Sequence, residues 1–111
     1  MAEIVVVGSL KARPGKEDEV AQALADLVEP THAEAGCILY AMHQGTDDPT
    51  RFAFVERWES KQHLEDHLAS PHIAALLERV DELFAEAPDI VVYDPRPGGE
   101  SRKGALAAAA G

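Results

Sequence analysis

Three short runs of this chain are apolar at nearly every position: Ile4 to Val7, Cys37 to Met42 and Ile90 to Val92. Side chains of a strand alternate between the two faces of its sheet. A sheet with one wet face therefore alternates apolar and polar residues. These runs do not alternate, so the sheet they build must be covered on both faces. With 111 residues the chain has material for one small core. One side of the sheet can take the chain's own helices, and the other side needs a second cover. A homodimer joined sheet to sheet, with two-fold symmetry, supplies it.

The order of elements follows from periodicity. "EIVVVGSLKA" (3–12) predicts a first strand, and "RPGKED" a turn leading into an acidic first helical turn. Val20, Ala23, Leu24, Leu27 and Val28 then repeat at the spacing of an amphipathic helix, which Pro30 and Gly36 are expected to end. "CILYAMHQ" (37–44) and "RFAFVERWE" (51–59) flank the turn cluster "GTDDPT" and predict a hairpin. Ser60 is placed to cap a helix over 61–69. Ser70 followed by Pro71 starts a second helical piece, whose stripe is Ile73, Leu76, Leu77, Val80, Leu83 and Phe84. "DIVVYD" (89–94) is the fourth strand. The resulting β-α-β-β-α-β order is the split βαβ, ferredoxin-like arrangement of the α+β class. Residues 1–94 form the domain, and "PRPGGESRKGALAAAAG" (95–111) reads as a mobile tail or an arm that orders on a partner.

Charge and cysteine content narrow the function. The net charge is −10, and the first 94 residues carry seven basic against nineteen acidic side chains, or −12. Such a surface repels phosphate backbones and anionic membranes, so neither nucleic acid nor a membrane is expected as a partner. No apolar run approaches the roughly 18 residues of a membrane span. "MAEIVVVGSL" lacks the basic start and cleavage pattern of a signal peptide and reads as strand, so a cytoplasmic location is expected. The lone Cys37 excludes an internal disulfide and a cysteine-rich zinc cage.

The chemistry concentrates in residues 54–73, which hold His63, His67 and His72 downstream of Glu56 and Trp58. Phe52, Phe54, Glu56 and Trp58 share one face of the third strand, where a carboxylate needs a partner or a proton. His63 and His67, four apart, share a helix face, but "HLEDH" is not the zinc-protease order. A zinc site there would need Glu56 or His72 as a third ligand, and a solvent-facing His63 is the stronger reading. His72 is expected near a helix start, whose positive end keeps its ring neutral and usable as a base. His67 is expected near a helix end, which favours a charged ring and a pairing with a carboxylate such as Glu56. The bland alternative carries equal weight: both histidines satisfy helix ends and a buried glutamate. Tyr40, Met42 and Phe84 add an apolar wall suited to a flat ligand, as to any core.

"AEAGCILYAMHQ" and "RFAFVERWESKQHLEDHLASPHI" together resemble the antibiotic biosynthesis monooxygenase domain family, including its quinol monooxygenase-like members. The carriers are a Gly-Cys-x-x-Tyr strand, a Phe-x-x-x-Glu-x-Trp strand, and a His-x4-His pair (His67, His72) across a Ser-Pro break, within residues 3–94. The resemblance implies a dimeric ferredoxin-like α/β barrel. It also implies a monooxygenase that oxidises a hydroquinone, anthrone or related aromatic with O2 and no cofactor. On that basis His72 is the first choice of base, with His67 and Glu56 orienting it or stabilising charge. Trp58, Phe54, Tyr40 and Phe84 then hold the substrate ring. Related haem-degrading barrels rely on an Asn, a helical Trp and a haem-ligating His. This chain has no asparagine, its single Trp58 is on a strand, and Leu77 stands at the ligand's place. An isomerase or lyase on the same barrel, or a non-catalytic module for an aromatic or haem, are the competing expectations.

Overall fold

The computed structural model describes residues 2–106. The elements run β1 (Ile4–Lys11), α1 (Glu17–His32), β2 (Cys37–Gln44), β3 (Arg51–Trp58), α2 (Lys61–Leu68), α3 (Pro71–Leu77), α4 (Val80–Leu83) and β4 (Asp89–Tyr93). The four strands form one antiparallel sheet in the order β2-β3-β1-β4. This is the α+β, ferredoxin-like topology expected from the element order. The expected tail falls on residues 95–111. Glu100 anchors a turn in it, accepting from the backbone N–H groups of Arg102 and Lys103, and residues 107–111 lie outside the described residues.

The helices cover one face. Ile4, Val6 and Leu10 of β1 point into it, facing Trp58, Glu56 and Phe52 of β3, and Val20, Leu24 and Leu27 of α1 close over them. Leu24 and Trp58 have no exposed surface. Truncating such a side chain to alanine costs on the order of 2–5 kcal/mol, so this layer holds the helices to the sheet.

The opposite face is also apolar, as the non-alternating runs required. Val5, Val7, Ala53, Val55, Leu39 and Ala41 lie on it half-buried, and Val91 and Tyr93 of β4 are exposed at 37% and 49%. Arg57 sits on the same side and is held in a two-pronged ion pair by Glu3. Among the described residues, no helix is long and apolar enough to cross a membrane.

Two expectations fail locally. Pro30 does not end α1; it lies inside the last turn, and the helix continues to His32. The reason is Thr31, which is fully buried and draws that turn into the core, while the N–H groups of Ala33 and Glu34 accept the closing role by donating to Glu29 and Thr31. The second apolar stripe is not one helix. It breaks at Glu78 and Arg79, leaving Leu77 52% exposed. Phe84 has left the helix altogether and bridges Ala12, with Ala85 N–H donating to the Lys11 carbonyl at 2.8 Å.

Candidate functional site

Two serine caps set the site. Ser60 accepts from the His63 N–H at the start of α2. Ser70 accepts from the Ile73 N–H at the start of α3, and its hydroxyl donates to the His67 carbonyl at 2.6 Å. Pro71 at the first position of α3 lacks an N–H to continue α2, so the chain turns there. His67 in the last turn of α2 and His72 in the first turn of α3 are thereby brought together, with ring centroids 6.0 Å apart.

Glu34 joins them. It follows α1 directly and sends Oε2 between the two rings, 2.8 Å from His67 Nδ1 and 2.6 Å from His72 Nε2. A carboxylate oxygen accepts, and with Oε2 shared by both rings the two nitrogens are the donors. His67 therefore holds its proton on Nδ1 and presents an unprotonated Nε2. That nitrogen has no hydrogen-bond partner among the described residues, and the ring forms part of a cavity wall. The His67 ring is 2% exposed, edge-on to Tyr40 at 5.3 Å and tilted against Trp58 at 4.7 Å. Burial pushes its pKa below the ordinary histidine value, outweighing the upward pull of Glu34. His67 is thus neutral near pH 7, although its helix end alone favours the charged form.

Glu56 is the second titratable wall of the same cavity. It is 7% exposed, and Trp58 Nε1–H donates to its Oε1 at 2.9 Å. Burial lifts its pKa from 4.5 to about 7, with the Trp58 hydrogen bond opposing and the charge of Glu34 adding to the rise. The same burial, helped by the charge of Glu56, raises Tyr40 above its ordinary value, so its phenol stays protonated. Cys37 is likewise pushed up to about 11, mainly by burial, so it is an inert thiol.

The cavity encloses about 70 Å³. Gly8, Tyr40, Phe54, Glu56, Leu64 and His67 line its inner end, and Leu68, Leu77 and Ile90, all exposed, stand at its mouth. Gly8 leaves room there: a β-carbon would sit 3.8 Å from Glu56 Oε2. Tyr40 and Phe54 stack on one another at 4.4 Å, and both line the cavity.

The sequence-derived residues divide. His67, Glu56, Tyr40 and Phe54 meet at the cavity. His72 does not line it; it is linked to His67 through Glu34 and Ser70, and itself lines a separate surface depression with Asp26 and Arg79. Trp58 stands behind the wall as the support of Glu56 and His67, and Phe84 is away from the cavity on the Ala12 bridge. His67 pairs with Glu34 rather than Glu56. His63 is outside the cluster: its Nδ1 bonds Ser60, and its ring packs over Gly36. Sequence reasoning missed Glu34. Its one signal was an acidic residue just past the negative end of a helix, a position that disfavours a carboxylate unless donors hold it. Among the described residues, Glu34, His67 and His72 form a group that could hold a metal, with donor atoms within 4.8 Å of one another.

The profile of the family described as "Antibiotic biosynthesis monooxygenase" matches residues 3–79. The chain belongs to that family. Family relatives agree. The uncharacterised protein sll1783 of Synechocystis is 30% identical over 90 residues, which are 81% of this chain but 61% of that protein, so the chain spans less than two thirds of it. The probable quinol monooxygenase YgiN of Escherichia coli K12 is 31% identical over 87 residues, 69% of this chain and 84% of its own length. Among solved structures, protein SO0527 of Shewanella oneidensis superposes with a TM-score of 0.79 at 33% identity, covering 84% of this chain and 90% of that one.

Proposed function

We propose that this family member is a cofactor-independent monooxygenase that oxidises an electron-rich phenolic aromatic, of the hydroquinone or anthrone class, with O2. One observation carries the reading: an unprotonated, neutral His67 Nε2 and a carboxyl group titrating near 7 share one apolar cavity.

His67 Nε2 takes the substrate's phenolic or activated C–H proton. Glu34, bonded to Nδ1–H, holds the tautomer and stabilises the imidazolium that forms, as the carboxylate does in a hydrolase triad. The substrate anion is then electron-rich enough to reduce O2. One oxygen atom is retained on the ring and the other leaves as water, with the ring supplying all four electrons. Glu56, protonated for part of the time at neutral pH, donates to the developing peroxide and assists loss of water. Tyr40 and Phe54, stacked on one another, line the pocket that takes the substrate ring. A cavity of about 70 Å³ is below the roughly 150 Å³ that admits benzene. Binding therefore swings Leu68 and Leu77 outward at the mouth.

The reading extends to assembly. The uncovered outer face of the sheet, with Val5, Val7, Val55 and Tyr93, supports a two-fold homodimer through it. Residues 1–94 are the catalytic domain, 95–111 an appended arm, and the location cytoplasmic.

The test is oxygen uptake by metal-stripped protein with a panel of hydroquinones and anthrones against a no-enzyme blank. Saturable uptake that drops roughly 10²–10⁴-fold in His67→Ala is expected. Absence of uptake across the panel, with isomerisation or tight binding of a panel member instead, overturns the oxygenase reading.

A further inference from the structure

We propose that Glu34, His67 and His72 also bind one divalent transition-metal ion, of the zinc, cobalt, nickel or copper class, and that this ion and the proton-accepting form of His67 exclude one another. The second half rests on His67 being the base; the first half does not.

Three donor atoms converge from three separate elements: Glu34 Oε2 from the segment after α1, His67 Nδ1 from α2 and His72 Nε2 from α3. All lie within 4.8 Å of one another. Ligands placed about 2.0–2.1 Å from a tetrahedral zinc stand roughly 3.3 Å apart. The Glu34 contacts of 2.8 and 2.6 Å need to open by about half an ångström, which Glu34 can supply from outside any helix or strand, and the two ring nitrogens, up to 4.8 Å apart, need to close toward the same spacing by side-chain rotation of the half-buried His72. Two imidazoles and one carboxylate suit the late first-row ions and not calcium or magnesium, which take oxygen ligands. The His67 ring is already packed against Tyr40 and Trp58, which holds that ligand in place, while the Ser70 hydroxyl, 3.2 Å from His72 Nε2, has to give way to the ion. Access is from the surface: His72 and Glu34 have side chains 19% and 16% exposed, and His72 opens onto the depression that holds Asp26 and Arg79. A water from that side fills the fourth position.

The exclusion follows from counting hydrogens. Without metal, Nδ1 of His67 and Nε2 of His72 both donate to Glu34. A bound ion takes the lone pairs of those same two atoms. Each ring, if neutral, then carries its hydrogen on the other nitrogen, and for His67 that is Nε2. The cavity then meets a donor where it had an acceptor. Metal loading converts the site from a base to a non-base without blocking the cavity.

The probe is Co2+ added to metal-stripped protein, read by visible absorption and calorimetry, followed by displacement with Zn2+. One equivalent per chain, with the intense bands of a four- or five-coordinate ion, is expected. Affinity should fall at least 100-fold in His72→Ala and in Glu34→Gln and stay unchanged in His63→Ala. His72→Gln replaces His72→Ala if the latter does not fold. No stoichiometric binding, or binding that survives both substitutions, overturns the site. Oxygen uptake should fall in step with Zn2+ occupancy, and uptake that persists at full occupancy overturns the exclusion. Binding without any uptake in the metal-free protein leaves the site standing and removes the oxygenase reading; uptake without binding does the reverse.

Discussion

Glu56 makes stability depend on pH in an unusual direction. A carboxyl whose pKa rises from 4.5 to about 7 on folding holds its proton more tightly in the native state. Its contribution is fully present below the unfolded value and is lost as pH rises through the folded one. At roughly 1.4 kcal/mol per pH unit, ionised Glu56 costs the fold about 3 kcal/mol, of which about 2.5 falls between pH 5 and pH 8. Glu56→Gln keeps the shape and an oxygen to accept the Trp58 N–H, which donates to Glu56 at 2.9 Å, but cannot ionise. Urea unfolding of both proteins, at one protomer concentration to hold any association constant, should give similar stabilities at pH 5. At pH 8 the variant should be more stable by roughly 2–3 kcal/mol. Parallel pH profiles for the two proteins would show that Glu56 is not held near 7, and the proposed proton donation to peroxide would fail with it.

Gly36 has φ 84°, and a β-carbon there would come within 2.3 Å of the His63 ring; Gly36→Ala should cost about 2 kcal/mol or more in urea unfolding. Adding His63→Ala should recover the clash but not the backbone strain, and full recovery would mean that the φ carries no cost. Because His67 lines the cavity and His72 does not, His72→Ala should reduce oxygen uptake less than His67→Ala does; the reverse order would make His72 the base. Val7→Asp places a charge on the outer sheet face opposite Val55 and Val91; if the proposed sheet-to-sheet dimer forms, sedimentation should show the variant monomeric at concentrations where the parent chain sediments as a dimer. A dimer that survives this change uses another surface.

The strands and the apolar outer face were legible because continuous apolar runs bounded by turn residues are local features of the sequence. β1, β2, β3 and β4 fall where the runs predicted. Pro30 and the break at Glu78 were not legible, since each is decided by tertiary packing: the burial of Thr31 in one case, the Ala12–Phe84 bridge in the other. The same limit applies to the site. The serine caps and the His67–His72 juxtaposition could be read locally, but the partner of both rings lies 33 residues before His67 and 38 before His72. A lone acid in a loop reads as solvated until the fold shows what it faces. The expected charge on His67 failed for a related reason. A helix end contributes at most a modest stabilisation, whereas burial against Trp58 and Tyr40 acts on the whole ring.

The two glutamates of this small site meet different surroundings. Glu34 is met by two N–H donors at 2.8 and 2.6 Å and keeps some contact with solvent. Glu56 is met by one, from Trp58, and otherwise by apolar walls. A carboxylate is stabilised by the donors that reach it and destabilised by the water it loses. Hence Glu34 is the shared partner of both rings, while burial with one donor lifts Glu56 to about 7. An acceptor nitrogen and a proton-bearing carboxyl facing one cavity are what a reaction needs that must take a proton early and return one late. Neither group would serve if their surroundings were interchanged: a fully compensated Glu56 would have no proton to give, and an uncompensated Glu34 would no longer hold the hydrogen of His67 on Nδ1.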